Sequence, residues 1–305
     1  MSYFLDVTQI PVADLLRRHA DSVLPDGGDA WKFKLDAEVS LKATARIEND
    51  WLLLAATPGG KRRRKRPTAE HRARLLRHNG ELRGGVKFAL EGDPPCPLLA
   101  TEIPLSDDEP GFEARFSGAC AGFRQGAVMF SSKRRPSGHG NDEGNDPDTK
   151  PDTGVEANLA PLCEEAGWQF TTRADGRLAV QLDVPGAFCQ ALTERDDQGG
   201  VHLRAWLEGG RPTATASRCA VDVLLLSACR VVRMARAVAG PAEYCWEITL
   251  ADPPDALGLD HALSSLSVAC RMSAREINVL QDEAIAQRYL TVRGWSLLPS
   301  NNCSR

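Results

Sequence analysis

Apolar and polar positions alternate with a period of two in two early stretches. The first is Trp31-Lys32-Phe33-Lys34-Leu35. The second, Leu41-Lys42-Ala43-Thr44-Ala45-Arg46-Ile47, begins ten residues after Trp31. Such alternation puts the apolar side chains on one face of a half-buried β-strand. Trp51-Leu52-Leu53-Leu54 predicts a third strand. The same opening recurs downstream: Trp168-Gln169-Phe170, then Leu178-Ala179-Val180-Gln181-Leu182-Asp183-Val184 starting ten residues after Trp168. The offset of 137 keeps aromatic and aliphatic positions on one parity, which predicts equivalent places for Trp31 and Trp168 on the first strand of each unit. Val201-His202-Leu203-Arg204-Ala205-Trp206-Leu207 supplies the third strand of the second set, after a longer loop over 185–200.

The parallel continues. Helical spacing of apolar residues predicts helices at about 68–79 and 214–229, and strand pairs follow at about 82–90 with 98–105 and at 230–238 with 243–250. The last strands end alike, in Glu102-Ile103-Pro104-Leu105 and Glu247-Ile248-Thr249-Leu250. Both lead into acidic, Pro-containing turns, Asp107-Asp108-Glu109-Pro110 and Asp252-Pro253-Pro254-Asp255, of the kind that starts a helix. Closing helices are predicted at about 111–130 and 256–290. The order α-β-β-β-α-β-β-α therefore occurs twice. Strands with one polar face and short connections predict an α+β fold in which each unit is an antiparallel sheet with helices on one face.

Ser131 to Glu156 reads SSKRRPSGHGNDEGNDPDTKPDTGVE, with no aliphatic residue before Val155. A segment this polar buries too little apolar surface to offset its ordering entropy. The predicted division is a first domain over 1–131, a flexible acidic linker over 132–156 and a second domain over 157–305.

Composition narrows the class. The chain has 305 residues, 42% hydrophobic and 26% charged, with a formal net charge of −4, so the whole molecule is not built to coat nucleic acid. Met1-Ser2-Tyr3-Phe4-Leu5-Asp6 lacks a basic region ahead of an apolar run, and no apolar stretch approaches the ~18 residues of a membrane span. The nine cysteines form no Cys-x-x-Cys pair and sit mostly in apolar runs, as buried free thiols of a reducing cytoplasm do.

No constellation for catalysis emerges. Gly-x-Gly-x-x-Gly, phosphate-loop, His-Glu-x-x-His and Gly-x-Ser-x-Gly motifs are all missing, and Thr57-Pro58-Gly59-Gly60-Lys61 reads as a turn. The six histidines include no pair at metal-ligand spacing. Asp260-His261 and Asp282-Glu283 read as helix-surface or capping residues. No catalytic, metal-binding or cofactor-binding residue is expected, and an enzyme is the third-ranked class.

Two features remain as candidate partner-binding surfaces. The first is the run Lys61-Arg62-Arg63-Arg64-Lys65-Arg66 with Arg72, Arg74 and Arg77, opposed by Glu70 alone, which suits phosphates or an acidic peptide. It has no interleaved aromatics for base stacking, and a solvated loop is the plainer reading. The second is the stripe Leu263, Leu266, Cys270, Ile277, Leu280 and Ala284, at three- and four-residue steps over several turns. It exceeds what one sheet needs, so part of it is available to the other unit or to a partner; packing within its own domain is the alternative.

Leu75-Leu76-Arg77-His78-Asn79-Gly80-Glu81-Leu82, running on through Val86-Lys87-Phe88-Ala89-Leu90, resembles the type III secretion chaperone-like fold. Ala166-Gly167-Trp168-Gln169-Phe170 with Asp175-Gly176-Arg177-Leu178 is similar to the opening of YbjN-type domains of that superfamily. The resemblance implies a protein that binds another polypeptide, has no catalytic residues and commonly works as a homodimer. Two units in one chain replace that homodimer by an internal pseudo-dimer, as a monomer or a weak homo-oligomer. The expected function is cytoplasmic binding of a client polypeptide; a nucleic-acid or phosphate-binding regulator acting through 61–77 is the alternative.

Overall fold

The computed structural model describes residues 12–35, 41–58, 66–105, 109–131, 156–185, 189–195, 201–250 and 254–295. They form an α+β fold built around two six-stranded antiparallel sheets. The first half runs α1 (Val12–His19), β1 (Ser22–Pro25), β2 (Ala30–Leu35), β3 (Leu41–Glu48), β4 (Trp51–Thr57), α2 (Ala69–Asn79), β5 (Lys87–Glu91), β6 (Cys96–Pro104) and α3 (Glu109–Ser131). The second runs α4 (Glu156–Glu165), β7 (Phe170–Thr172), β8 (Leu178–Gln181), β9 (Gln190–Arg195), β10 (Val201–Trp206), α5 (Thr215–Ala228), β11 (Arg236–Ala239), β12 (Tyr244–Thr249), α6 (Ala256–Leu280) and α7 (Glu283–Val292). The strand orders, β1-β2-β3-β4-β6-β5 and β7-β8-β9-β10-β12-β11, are the same path through two sheets.

The alternating patterns do what the pleat requires. Along β3, Leu41, Ala43 and Ala45 are buried while Lys42, Thr44 and Arg46 are exposed, and Phe33 and Leu35 of β2 join the same core face. Phe112, Phe116 and Phe123 of α3 are fully buried, and α3 lies against β6, α1 and α2. Gly118, Gly122 and Gly126 recur every fourth residue of α3. A Cβ on Gly122 would come within 2.3 Å of the Arg83 carbonyl oxygen, so glycine is what lets the α2–β5 connection touch the helix. Asp255 caps α6 by accepting the Gly258 N–H at 2.6 Å, which accounts for the acidic turn ahead of it.

The structure departs from the sequence pattern in three places. Each half has four strands before its middle helix, not three: β1 and β9 are additional, and β9 falls inside the stretch expected to be a long loop. Ser22-Val23-Leu24-Pro25 is mostly exposed, and Ala191-Leu192-Thr193 of β9 are buried in succession, so neither shows sustained alternation. Trp31 and Trp168 are not equivalent. Trp31 lies on β2, the second strand, whereas Trp168 precedes β7 and donates its indole N–H to Asp260 Oδ1 at 2.8 Å. The topological counterpart of β2 is β8, so the shared offset matched neighbouring strands. Finally, the closing helix at 256–290 is two helices, separated by a turn at which Asp282 caps α7 by accepting the Ile285 N–H at 3.0 Å. The predicted linker lies almost wholly outside the described residues.

Candidate functional site

The two halves meet through α2 and β5 of one and α5 and β11 of the other. Helix α2 packs on β11 and α5, and α5 packs on β5. The contacts are reciprocal. Lys87, first residue of β5, donates to Val232 O at 2.5 Å and to Ala235 O at 3.2 Å, in the connection between α5 and β11. Arg236, first residue of β11, donates back to Leu82 O, in the connection between α2 and β5. Each cation is held by a glutamate on the adjacent long strand: Lys87 by Glu102 at 2.8 Å and Arg236 by Glu247 at 2.5 Å, with all four side chains buried. Glu102 also accepts the Met234 N–H at 3.0 Å. Exchange of like contacts between like elements is the pattern of an isologous interface.

Asn79 and Cys229 sit where the two middle helices end. Asn79 is fully buried, accepts the Phe88 N–H at 2.6 Å and donates to Ala237 O at 2.9 Å in the other half. Cys229 Sγ accepts the Ala237 N–H at 3.2 Å, and burial pushes its thiol up to about 11. The rim is charged and aromatic: Arg230 bonds Glu91 at 2.7 Å, and the Arg233 guanidinium lies 5.1 Å from the Trp51 ring centre. At another point Trp295, just past α7, stacks under Arg72 at 4.6 Å, while Arg66 donates to Gly294 O.

A row of alternating charges continues across one face of the second sheet. Glu247 links Arg236 to Arg204 (2.6 Å), Glu194 links Arg204 to Arg177 (3.2 Å), and Arg177 reaches Asp175 (2.7 Å). Burial pushes the Glu247 carboxyl up, but Arg236, Arg204 and His202 outweigh it and hold the group below the ordinary range.

The candidate residues taken from the sequence fare unequally. Arg62, Arg63, Arg64 and Lys65 lie outside the described residues. Arg66 is partly covered at the contact with Gly294. Arg72 is buried, 2% exposed, and donates to Pro67 O, so it is no part of a solvated basic patch. Leu263, Leu266, Ile277 and Leu280 are all buried, and α6 packs on α4, α5, α7, β10 and β12 of its own half. The α6 part of the stripe is core, while Ala284 lies exposed on α7. The phenylalanines of α3 are core likewise. The residues that do join the halves, Asn79, Lys87, Glu102 and Arg236, stand in the sequence as single polar positions inside or beside apolar strands and helices. An isolated Lys or Arg at the start of an otherwise apolar strand was the available signal.

Among the described residues, no group of three His, Cys, Asp or Glu side chains is placed to hold a metal ion, and no helix is long and apolar enough to cross a membrane. No family model, no curated protein and no solved structure matches the chain.

Proposed function

We propose that this chain is a non-enzymatic, cytoplasmic, polypeptide-binding protein that works as an internal pseudo-dimer of two chaperone-like units, and that it captures an extended client segment on the free edge of its first sheet. The observation that carries this reading is the difference between sheet edges. The inner edges, β5 and β11, are covered by the helix of the opposite half. Among the described residues no strand pairs with the outer side of β1, and Ser22, Leu24 and Pro25 are exposed, Leu24 by 64%. An open edge strand presents unpaired N–H and C=O groups to which an extended peptide adds by main-chain pairing, with alternate side chains supplying selectivity. The interface behind it is made of buried ion pairs and backbone contacts, which holds two sheets in a fixed relation without using up that edge. The free state of the eight described cysteines suits a reducing cytoplasm.

Selection from a displayed library of random linear peptides tests the reading. Binders are expected to be extended, and their affinity for Leu24→Asp is expected to fall at least ~10-fold, the equivalent of ~1.4 kcal/mol. Failure to enrich any peptide, or enriched peptides indifferent to Leu24→Asp, contradicts it.

A further inference from the structure

The connection between β8 and β9 is fastened to the middle of α6. The Leu182 N–H donates to Cys189 O at 2.9 Å, the Asp183 N–H donates to Ser267 Oγ at 3.2 Å, and the Arg271 guanidinium reaches Asp183 O at 3.2 Å. These bonds set Cys189 against the turn of α6 that carries Cys270, and the two thiols are in hydrogen-bonding contact. Cys189 is half-buried, whereas Cys270 is buried to 1% exposure.

We propose that Cys189 and Cys270 are a redox-active dithiol that closes to an intrachain disulfide on contact with hydrogen peroxide. The hydrogen bond from the Cys270 S–H favours the Cys189 thiolate and holds that group below the ordinary thiol range. The same bond, and then burial, push Cys270 up, so it keeps its proton and serves as donor. Cys120 and Cys163 are both pushed up to about 11 and Cys245 to about 12, by burial foremost, which leaves them unreactive. Cys189 combines partial exposure with thiolate character, and a second sulfur already lies beside it.

The chemistry balances. The Cys189 thiolate attacks one oxygen of the peroxide, the O–O bond breaks, and hydroxide leaves and takes up a proton as water. The product is a sulfenic acid at Cys189. The Cys270 sulfur gives up its proton and attacks the Cys189 sulfur, displacing hydroxide as a second water. Two thiols and one peroxide become one disulfide and two waters, and the sulfurs lose the two electrons that the peroxide gains. The new bond ties the 182–189 connection to α6, so the second half alone carries the constraint. This inference is independent of the client-binding reading.

The full chain, exposed to hydrogen peroxide, blocked with iodoacetamide and digested without reductant, provides the test by mass spectrometry. A Cys189–Cys270 crosslinked peptide, two hydrogens lighter than its parts and released by dithiothreitol, is the expected product. In Cys270→Ser the sulfenic acid should persist on Cys189 and be trapped by dimedone. The crosslink assay needs no variant, so it stands even where that substitution unfolds the chain. Cys189 remaining alkylatable after peroxide, passing to a sulfinic acid with Cys270 free, or pairing with another cysteine overturns the proposal.

Discussion

Lys87 and Glu102 pair where neither side chain meets water, and Lys87 spends its remaining donors on carbonyls of the opposite half. Taking charges out of water is costly, and the pair offsets that cost only while both partners stand. Lys87→Met is therefore expected to destabilise the chain by ~3–5 kcal/mol in chemical denaturation, because it strands the Glu102 carboxylate. The double variant Lys87→Met, Glu102→Gln should recover a large part of that loss; equal loss in both would show that the charge itself is immaterial. Asp222 gives a second test. It is buried against Tyr244 Oη at 2.7 Å, with Arg72, Arg211, Arg218 and Cys219 facing it, and burial pushes its carboxyl up to about 6. An acid raised on folding binds more protons folded than unfolded, so stability falls as pH rises from its ordinary value to about 6 and levels off above. Asp222→Asn keeps the Tyr244 bond and stays neutral. Its stability advantage over the parent, read by chemical denaturation, should grow across that window, towards the order of 3 kcal/mol, and then stay flat. An advantage that shrinks with rising pH would refute the assignment. Such residues are hard to find from sequence: Asn79 stands in a motif that carries the resemblance, yet nothing in the letters says that its amide would bridge Phe88 and Ala237.

At the scale of elements, the alternating runs made β2, β3, β4 and β10 legible, and the 3.6-residue spacing made α2 and α5 legible. A period of two, though, matches any strand to any other of the same parity, so it could not tell β7 from the counterpart of β2. β1 and β9 left no trace because one is mostly exposed and the other buries consecutive residues, so neither alternates. The glycines of α3 were also there to be read, four apart in a helix. They give opposite expectations for one substitution. Gly→Ala in a helix interior gains ~1 kcal/mol of propensity. At Gly118, where the nearest atom to a new Cβ is Gly84 Cα at 3.5 Å, that gain should survive as a slightly raised melting temperature. At Gly122 the new Cβ would lie 2.3 Å from the Arg83 carbonyl oxygen, a backbone atom that cannot swing away. Gly122→Ala should lower the melting temperature, and a rise there would contradict the close approach of α3 to the α2–β5 connection.

For the whole molecule, the two sheet-bearing halves and the α+β class were legible in the sequence, one strand short in each half, while the surface that joins the halves was not. The apolar stripe of α6 was the natural candidate and proved to be core; polar groups anchored on strand starts and helix ends join the halves instead. Because that contact is non-covalent, cutting the chain at a protease site inserted in 132–155 should leave one particle of unchanged mass at micromolar concentration, and Lys87→Met with Arg236→Met should let the pieces separate. Loss of the tether removes only its effective concentration, of the order of mM for a flexible link. The proposed role depends on more than docking, since it requires β1 to accept a client strand. Hydrogen exchange with and without a selected peptide reads this directly. The account predicts slowed exchange at the β1 amides over 22–24, with α6 and α7 unchanged. Protection confined to the helices, with β1 exchanging as fast as in the free chain, would contradict it.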